Sequence, residues 1–439
     1  MTRPVALALA GGCALAAGMG IGRFAYTPLL PAMQRDVELT ITAAGYVASA
    51  NFLGYLVGAL LAIRVARDRR SFWFLAALAA SVLSTLAMAP FSSPWTLGAI
   101  RILSGIASAY VMIHGSAIAM DALARAGRPM LFSLLAAGVG VGITLTALMV
   151  EVMARADAGA ATMWLALGGL ALLFALPAAT LRDPPAAGSA AAQATPAPAA
   201  AARAADDSAA RPAAHASPPA AGQPASHSAP PATGQPASHS APPETGQPSA
   251  HERRALAWLT TAYGLLGFGY VITATFIVVI VRGTPEWRPW EMAVWMCVGL
   301  AGAPSNFVWM KIAQRIDPYR AMIAAFLLEA VGVMAAVAGG SLPMVLLGAV
   351  LLGGTFMAIT AVGLTTGRML ARGESGPTLG RMTAAFGLGQ IVGPALGGWL
   401  AERTGSFLAP SVLASATLVA CALMVAKARS EARAGAAAA

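Results

Sequence analysis

The chain has 439 residues, of which 58% are apolar and only 10% are charged, whereas a soluble domain carries about 25% charged residues. Apolar runs recur along it, each long enough to cross a hydrocarbon core of about 30 Å as a helix. This composition excludes an ordinary soluble domain and predicts a membrane protein. The net charge of +10 is spread through short loops and forms no single basic face, so nucleic-acid binding is not indicated.

The apolar runs and the breakers between them predict twelve membrane spans in two sets of six. The first six spans are 5–30, 40–63, 71–90, 95–118, 130–153 and 161–181, and the second six are 255–281, 290–310, 320–339, 342–369, 382–401 and 407–427. We therefore predict an all-α membrane protein with one six-helix half over residues 1–181 and a second over 255–427. Residues 428–439 are predicted to be a tail.

Residues 182–254 separate the two halves and consist mainly of Ala, Pro, Ser, Gly, Gln and His. Such a segment buries too little apolar surface to fold, so we predict a disordered linker. A 12-residue unit starts at His227, and His215, His239 and His251 keep its register. Loose metal binding and slippage of a repetitive coding sequence both explain these histidines, and we predict no metal site and no cofactor.

The distribution of Lys and Arg predicts the orientation of the chain in the membrane. Of these 28 residues, 21 fall on the side of the N-terminus, five on the other side and two, Arg23 and Arg101, inside spans. Because cytoplasmic loops carry the excess of positive charge, we expect both termini and the linker to be cytoplasmic. A bacterial-type inner membrane is the predicted location.

Two sequence patterns repeat between the halves, as in a duplicated transporter. Leu61-Ala-Ile-Arg64-Val after the second span matches Ile312-Ala-Gln-Arg315-Ile after the eighth, and Gly18-x-Gly20 in the first span matches Gly267-x-Gly269 in the seventh. Together with Arg101-Ile-Leu-Ser-Gly105 in the fourth span, these patterns resemble the major facilitator superfamily.

The string Gly18-Met-Gly-Ile-Gly-Arg23-Phe-Ala-Tyr26-Thr27-Pro-Leu-Leu-Pro31 in the first span resembles the YbfB/YjiJ branch of that superfamily. The resemblance implies a monomeric secondary transporter whose first, fourth, seventh and tenth helices line a central cavity. Ile63 and Gln314 stand where the superfamily's loop pattern has Asp, which puts the charge relay of that pattern in doubt here.

Arg23 and Arg101 are the strongest candidates for a substrate site. A charge at membrane depth costs at least about 2.5 kcal/mol on insertion scales, so it needs a partner, water or a function. Two guanidiniums on cavity helices favour an anionic substrate, because Arg grips carboxylates with a planar fork. The alternative is that Arg23 extends outward to the surface and Arg101 only braces helix contacts.

Several other side chains are weaker candidates. Glu329 in the ninth span and His114 in the fourth are candidate proton carriers, each with a purely structural alternative. Hydrogen-bonding groups of the cavity are predicted among Tyr26, Thr27, Tyr263, Tyr270, Thr273, Thr275, Asn306, Thr355, Thr360 and Gln390, of which we favour Tyr26, Thr27, Tyr270 and Thr355. Gating and packing roles are assigned to Gly142, Gly393, Pro394, Gly397, Gly398, Arg64 and Arg315.

The sequence predicts a transporter and no enzyme, since it has no nucleophile–base pair, phosphate loop or metal-ligand cluster. We expect a secondary transporter that moves a small solute, an organic anion, by alternating access with proton coupling. A multidrug or metabolite efflux antiporter is the first alternative. A receptor or scaffold that keeps the fold without transport is the second.

Overall fold

The computed structural model describes residues 3–183, 249–372 and 375–438. Within them, twelve helices are long and apolar enough to cross a membrane, which confirms the predicted fold class. We label them α1 to α12: Arg3–Asp36, Ile41–Ala62, Arg67–Ala87, Pro94–Arg125, Phe132–Arg155, Ala160–Ala178, Ala250–Arg282, Pro285–Ile316, Pro318–Ala338, Leu342–Leu370, Pro377–Thr404 and Leu408–Ala437.

Several helices extend beyond the predicted spans. Helix α1 continues past Pro31, α7 begins at Ala250 inside the segment predicted as linker, and α12 continues through most of the predicted tail. These extensions are too polar to count as apolar runs. Residues 184–248 of the predicted linker lie outside the described residues, and so do its histidines apart from His251.

Local sequence determines where helices begin. The Thr40 hydroxyl accepts a hydrogen bond from the Ala43 N–H at 3.1 Å and caps α2, and Ser249 forms a capping box with Glu252 at the start of α7. Asp317 caps α9 by accepting from the N–H groups of Tyr319 and Arg320. In each case a short polar side chain satisfies N–H groups that the first helical turn leaves free.

Helices α1 and α4 are irregular in their middle parts. Ala16–Ile21 of α1 and Val111–Gly115 of α4 are π-helical. Residues 22–25 then form turns before α1 resumes at Tyr26. Pro28 has no N–H, so the Phe24 carbonyl lacks its helical donor. We call residues 22–25 the α1 break, and Arg23 lies within it.

The two halves pack against each other through α2 with α11 and through α5 with α8. Gly45 faces the Pro394 carbonyl across the first pair. At Gly140, in the second pair, an added Cβ would lie 2.6 Å from the Gly299 carbonyl oxygen. Side chains at these positions would force the helices apart, so glycine is required for close approach.

The predicted gating glycines have similar contacts. A Cβ on Gly398 would lie 2.7 Å from the Ile41 carbonyl oxygen of α2, and Gly142 packs against Gly20 of α1. Gly393 and Gly397 pack against α7 within the second half. Their predicted part in gating stays a prediction.

We call the face that carries both termini the terminal face and the other face the opposite face. At the terminal face of the first half, Arg70 binds Asp121 at 2.9 Å and Asp183 at 2.8 Å. In the second half, Asp317 binds Arg429 of α12 at 2.7 Å. In the first half, an arginine that follows α2 thus pairs with an aspartate that follows α6. In the second half, an aspartate that follows α8 pairs with an arginine in α12, so the charges are reversed.

These ion pairs differ from the pattern that singled out Arg64 and Arg315. Both of those arginines are exposed and form no ion pair within the described part of the chain. Burial alone would raise the pKa of the Asp317 carboxyl, but the hydrogen bonds from Arg429 and from the N–H groups of Arg320 and Tyr319 outweigh it. The pKa of Asp317 is therefore below its ordinary value.

Candidate functional site

The Arg23 guanidinium is buried in the α1 break, with 4% of the residue exposed. Its Cζ atom lies 4.2 Å from the ring centroid of Tyr55 and 4.7 Å from that of Phe52, both on α2, and 5.7 Å from that of Phe24. Among the described residues, Nε and Nη2 have no hydrogen-bond partner. These two nitrogens form one edge of the guanidinium, the edge that grips a carboxylate side-on.

The Arg101 guanidinium is used differently. Its Nη1 donates to the Gly22 carbonyl at 2.9 Å and its Nη2 to the Arg23 carbonyl at 2.8 Å. The Ser104 hydroxyl donates to the same Gly22 carbonyl at 2.9 Å. Helix α4 therefore supplies the donors that the α1 break lacks and fixes the main chain that carries Arg23.

Tyr26 and Thr27 follow the break and connect α1 to two other helices. The Tyr26 hydroxyl donates to the Ala44 carbonyl of α2 at 3.0 Å, and the Thr27 hydroxyl donates to the Ala274 carbonyl of α7 at 2.9 Å. Both hydroxyls are thus engaged with backbone. The second bond joins the two halves.

Tyr270 of α7 lies in a stack of aromatic rings beside Arg23. Its ring is stacked with Phe356 of α10 at 5.4 Å and 11° and with Phe386 of α11 at 5.9 Å and 5°. Phe24 meets Phe356 edge-on at 6.1 Å, and Arg23 lies within electrostatic range of the Tyr270 hydroxyl. We call Phe24, Tyr270, Phe356 and Phe386 the aromatic cluster.

Gln390 of α11 provides a second polar group at the aromatic cluster. Its Nε2 donates to the Tyr270 hydroxyl. Its Oε1 is buried and has no partner among the described residues. An unpaired buried acceptor is costly, so this oxygen is available to a ligand donor.

Glu329 of α9 is fully buried, with 0% of the residue exposed. Thr355 of α10 lies beside its carboxyl group, but the Thr355 hydroxyl donates to the Leu351 carbonyl at 2.7 Å. Neither carboxyl oxygen of Glu329 has a partner in the described part of the chain. Tyr270 lies within electrostatic range of this carboxyl group.

His114 lies in the π-helical part of α4, 13 residues beyond Arg101 toward the terminal face. It is 3% exposed, its ring centroid is 5.3 Å from that of Tyr110, and its Nε2 has no partner in the described chain. Its charged neighbours are Arg70 and Asp183. His114 therefore adjoins the ion pairs of the terminal face.

The structure thus brings together some of the residues singled out in the sequence. Arg23, Tyr270 and Gln390 share one region, and Thr355 adjoins Glu329 at its edge. Sequence reasoning missed the aromatic side chains of this region: Phe24, Phe52, Tyr55, Phe356 and Phe386. Such residues are ordinary in membrane helices, and only the position of Phe24 beside a buried arginine offered a signal.

No group of three or more His, Cys, Asp or Glu side chains that could hold a metal ion is found among the described residues. The site is therefore built from one unpaired cation, aromatic rings and an amide. Such an arrangement suits binding of a small solute between helices.

Twelve apolar helices in two packed halves, among the described residues, form the architecture that the resemblance to the major facilitator superfamily implies. Comparison with solved structures agrees: the nucleoside transporter NupG matches with a TM-score of 0.64 and 13% identity over 98% of this chain and 99% of that one. A substituted form of NupG matches with a TM-score of 0.65 and 13% identity over 97% and 99%. At this identity the match shows the fold alone.

The family model described as "Uncharacterised MFS-type transporter YbfB" matches residues 15–210 and 226–426. The chain belongs to this family, which confirms the resemblance found in the first span. It is thus a multi-pass membrane protein of a secondary transporter family, with a small-molecule substrate. Comparison with curated proteins gives no match.

Proposed function

We propose that this protein moves a small organic anion across the inner membrane by alternating access, that Arg23 binds the anion, and that Glu329 carries a coupled proton. The observation that carries the proposal is the free side-on edge of the buried Arg23 guanidinium. The charge distribution of the loops supports an orientation with both termini in the cytoplasm.

The anion preference rests on the electrostatics of the site. Arg23 has no acidic partner in the described chain, and the aromatic rings around it satisfy none of the hydrogen bonds of Nε and Nη2. A buried cation without a partner is costly. A carboxylate that binds this edge supplies both the missing charge and two hydrogen bonds.

The proton-coupling role rests on the isolation of Glu329. An ionised carboxylate without a cation or a hydrogen-bond donor is far more costly to bury than a neutral carboxyl. Glu329 has neither partner and adjoins Thr355 and Tyr270. Its neutral form therefore suits the conformation described here, and release of the proton would require contact with water in another state.

Alternating access would use the contacts between the halves. The Thr27 to Ala274 hydrogen bond joins α1 to α7, and Glu402 of α11 accepts from the Thr42 N–H of α2 at 2.8 Å on the opposite face. Breaking such contacts on one face and forming others on the second face would expose the Arg23 region alternately.

The test is a transport assay on the full chain in liposomes that hold a pH-sensitive dye, with pools of carboxylates, amino acids and lipophilic cations outside. We expect proton movement with carboxylates only, and its loss in Arg23→Ala. Arg125→Ala is the matched control, because Arg125 is an exposed arginine at the end of α4. Proton movement with lipophilic cations alone would overturn the anion proposal in favour of efflux.

Glu329 is tested separately by Glu329→Gln. We expect this variant to lose uphill transport driven by a pH gradient while it retains exchange of labelled for unlabelled anion, because exchange needs no net proton movement. Glu286→Gln, at the exposed start of α8, is the control and should retain both activities. If Glu329→Gln still concentrates anions in response to a pH gradient, Glu329 is not the proton carrier.

A further inference from the structure

The Arg23 site has features that restrict the substrate further than charge alone. The restriction builds on the proposed function, because it assumes that Arg23 binds an anion. Three observations bear on it: the number of free guanidinium edges, the shape of the walls and the unpaired Gln390 oxygen. Each limits the substrate in a different way.

The site offers one guanidinium edge that is free to grip a carboxylate side-on, that of Arg23. The second guanidinium, that of Arg101, donates through Nη1 and Nη2 to the carbonyls of Gly22 and Arg23 and keeps only Nε without a partner among the described residues, so it offers no second side-on edge. Glu329 lies near Tyr270 and has no cationic partner among the described residues. A second carboxylate on the substrate would find no free side-on edge and would be costly to desolvate, which favours a monocarboxylate.

The walls of the site are flat and aromatic. Phe52 and Tyr55 lie against the Arg23 guanidinium, with ring centroids 4.7 and 4.2 Å from Cζ. The rings of Phe356, Tyr270 and Phe386 are nearly parallel, with interplanar angles of 11° and 5°. Because Tyr270 is stacked between the other two rings, a ligand meets the ends or edges of this stack, where a flat ring packs better than a puckered one.

The Gln390 amide adds a requirement for a donor. Because its Nε2 already donates to the Tyr270 hydroxyl, only the Oε1 acceptor is free, and that atom is buried without a partner among the described residues. A ligand hydroxyl or amino group would satisfy it. A ligand without a donor would leave this oxygen unpaired. Binding sites discriminate strongly against a ligand that leaves a buried polar group of the protein unpaired.

From these observations we infer that the substrate is a flat aromatic monocarboxylate bearing a hydroxyl or amino group. The carboxylate binds the Nε and Nη2 edge of Arg23, the ring packs against the aromatic cluster, and the donor binds Gln390 Oε1.

The experiment measures binding of chosen probes to the full chain in lipid nanodiscs by calorimetry. The probes are para-hydroxybenzoate, benzoate, cyclohexanecarboxylate and succinate. We expect para-hydroxybenzoate to bind at least about tenfold more tightly than benzoate. Benzoate should bind more tightly than cyclohexanecarboxylate, and succinate should bind least. Arg23→Lys should weaken every carboxylate by about tenfold or more, because an ammonium cannot form the side-on fork.

Gln390→Met separates a role in recognition from a role in packing. We expect it to abolish the tighter binding of para-hydroxybenzoate relative to benzoate and to leave benzoate binding within about twofold of the parent. A packing defect would instead weaken the binding of both probes. Equal weakening of both probes would overturn the assignment of Gln390. Phe356→Leu should reduce the preference for benzoate over cyclohexanecarboxylate, and an unchanged preference would overturn the role of the aromatic cluster.

The outcomes separate this inference from the proposed function. If succinate or cyclohexanecarboxylate binds as tightly as benzoate and the binding depends on Arg23, the aromatic inference fails while the anion proposal survives. If no carboxylate binds, or if binding is unaffected in Arg23→Lys and Arg23→Ala, both fail.

Discussion

The two buried arginines are predicted to affect stability differently when each is replaced by methionine. Arg101 donates two hydrogen bonds to carbonyls of the α1 break, and a hydrogen bond to a charged group contributes roughly 1.5–3 kcal/mol. Removing the buried charge regains about 2.5 kcal/mol. We therefore expect Arg101→Met to destabilise the protein by about 2 kcal/mol, since the lost bonds outweigh the regained desolvation.

Arg23 has contacts with aromatic side chains to lose, among them an interaction with the Tyr55 hydroxyl. The closest of its three cation–π contacts, at 4.2 Å, is desolvated and contributes about 2 kcal/mol, and the contacts at 4.7 and 5.7 Å add less. The free energy regained by removing the buried charge is similar to the free energy lost with these contacts. We therefore expect the free energy of unfolding of Arg23→Met to lie within about 1 kcal/mol of that of the parent protein. The same variant should lose anion binding.

Thermal unfolding in detergent can measure this difference, with a dye that reacts with newly exposed thiols. Cys13, Cys297 and Cys421 are free cysteines and Cys421 is buried, so they provide the signal without added labels. At about 2–4 °C per kcal/mol for a unit the size of one half, Arg101→Met should melt roughly 4–8 °C below the parent. Equal melting temperatures for Arg101→Met and the parent would refute the reasoning, as would an equally large loss in Arg23→Met.

Three further predictions concern contacts away from the Arg23 site. The pKa of Asp317 is lowered in the folded protein. Its contribution to the free energy of unfolding is therefore complete above the ordinary Asp pKa of about 3.9 and is lost as the pH falls through the pKa of the folded state. The melting temperature should drop between about pH 5 and pH 3, and less so in Asp317→Asn; an equal drop would contradict this. Gly45→Val should destabilise by about 1–3 kcal/mol because its side chain meets the Pro394 carbonyl. Gly169→Val is the control, since nothing lies within 4 Å of a Cβ there, and equal melting temperatures for the two variants would count against close packing of α2 and α11. Glu402→Gln should raise hydrogen exchange at the start of α2 about two- to fivefold, as a carboxylate at a helix N-terminus contributes about 0.3–1 kcal/mol; unchanged exchange would show that this contact does not hold the opposite face together.

The number and order of the helices could be read from the sequence because the length of an apolar run is set by the thickness of the membrane. Arg23 could be singled out for the same reason, since a charge in such a run is expensive. The partners of Arg23 and Arg101 could not be predicted. They depend on how α1, α2 and α4 pack. The sequence around an apolar residue such as Phe52 does not indicate which residue will pack against it.

The α1 break itself was also beyond the sequence patterns. Pro28 and the glycines before it indicate an irregular helix, but they do not say which carbonyls lose their donors or that Arg101 would replace them. The pairing of Arg70 with Asp183 was missed because the residues are far apart in the chain. Its reversed counterpart, Asp317 with Arg429, has no shared sequence pattern.

Arg101 holds the α1 break through main-chain oxygens only, and this has a consequence for how such a transporter can diversify. Every amino acid at positions 22 and 23 carries the same carbonyl, so the scaffold at the break does not depend on which side chain occupies position 23. Exchange of that one side chain could alter the cargo while the bend in the helix persists. On the proposal that Arg23 binds the substrate, a substitution at position 23 changes selectivity and leaves the bend of α1 in place, which makes this position the natural starting point for redesign.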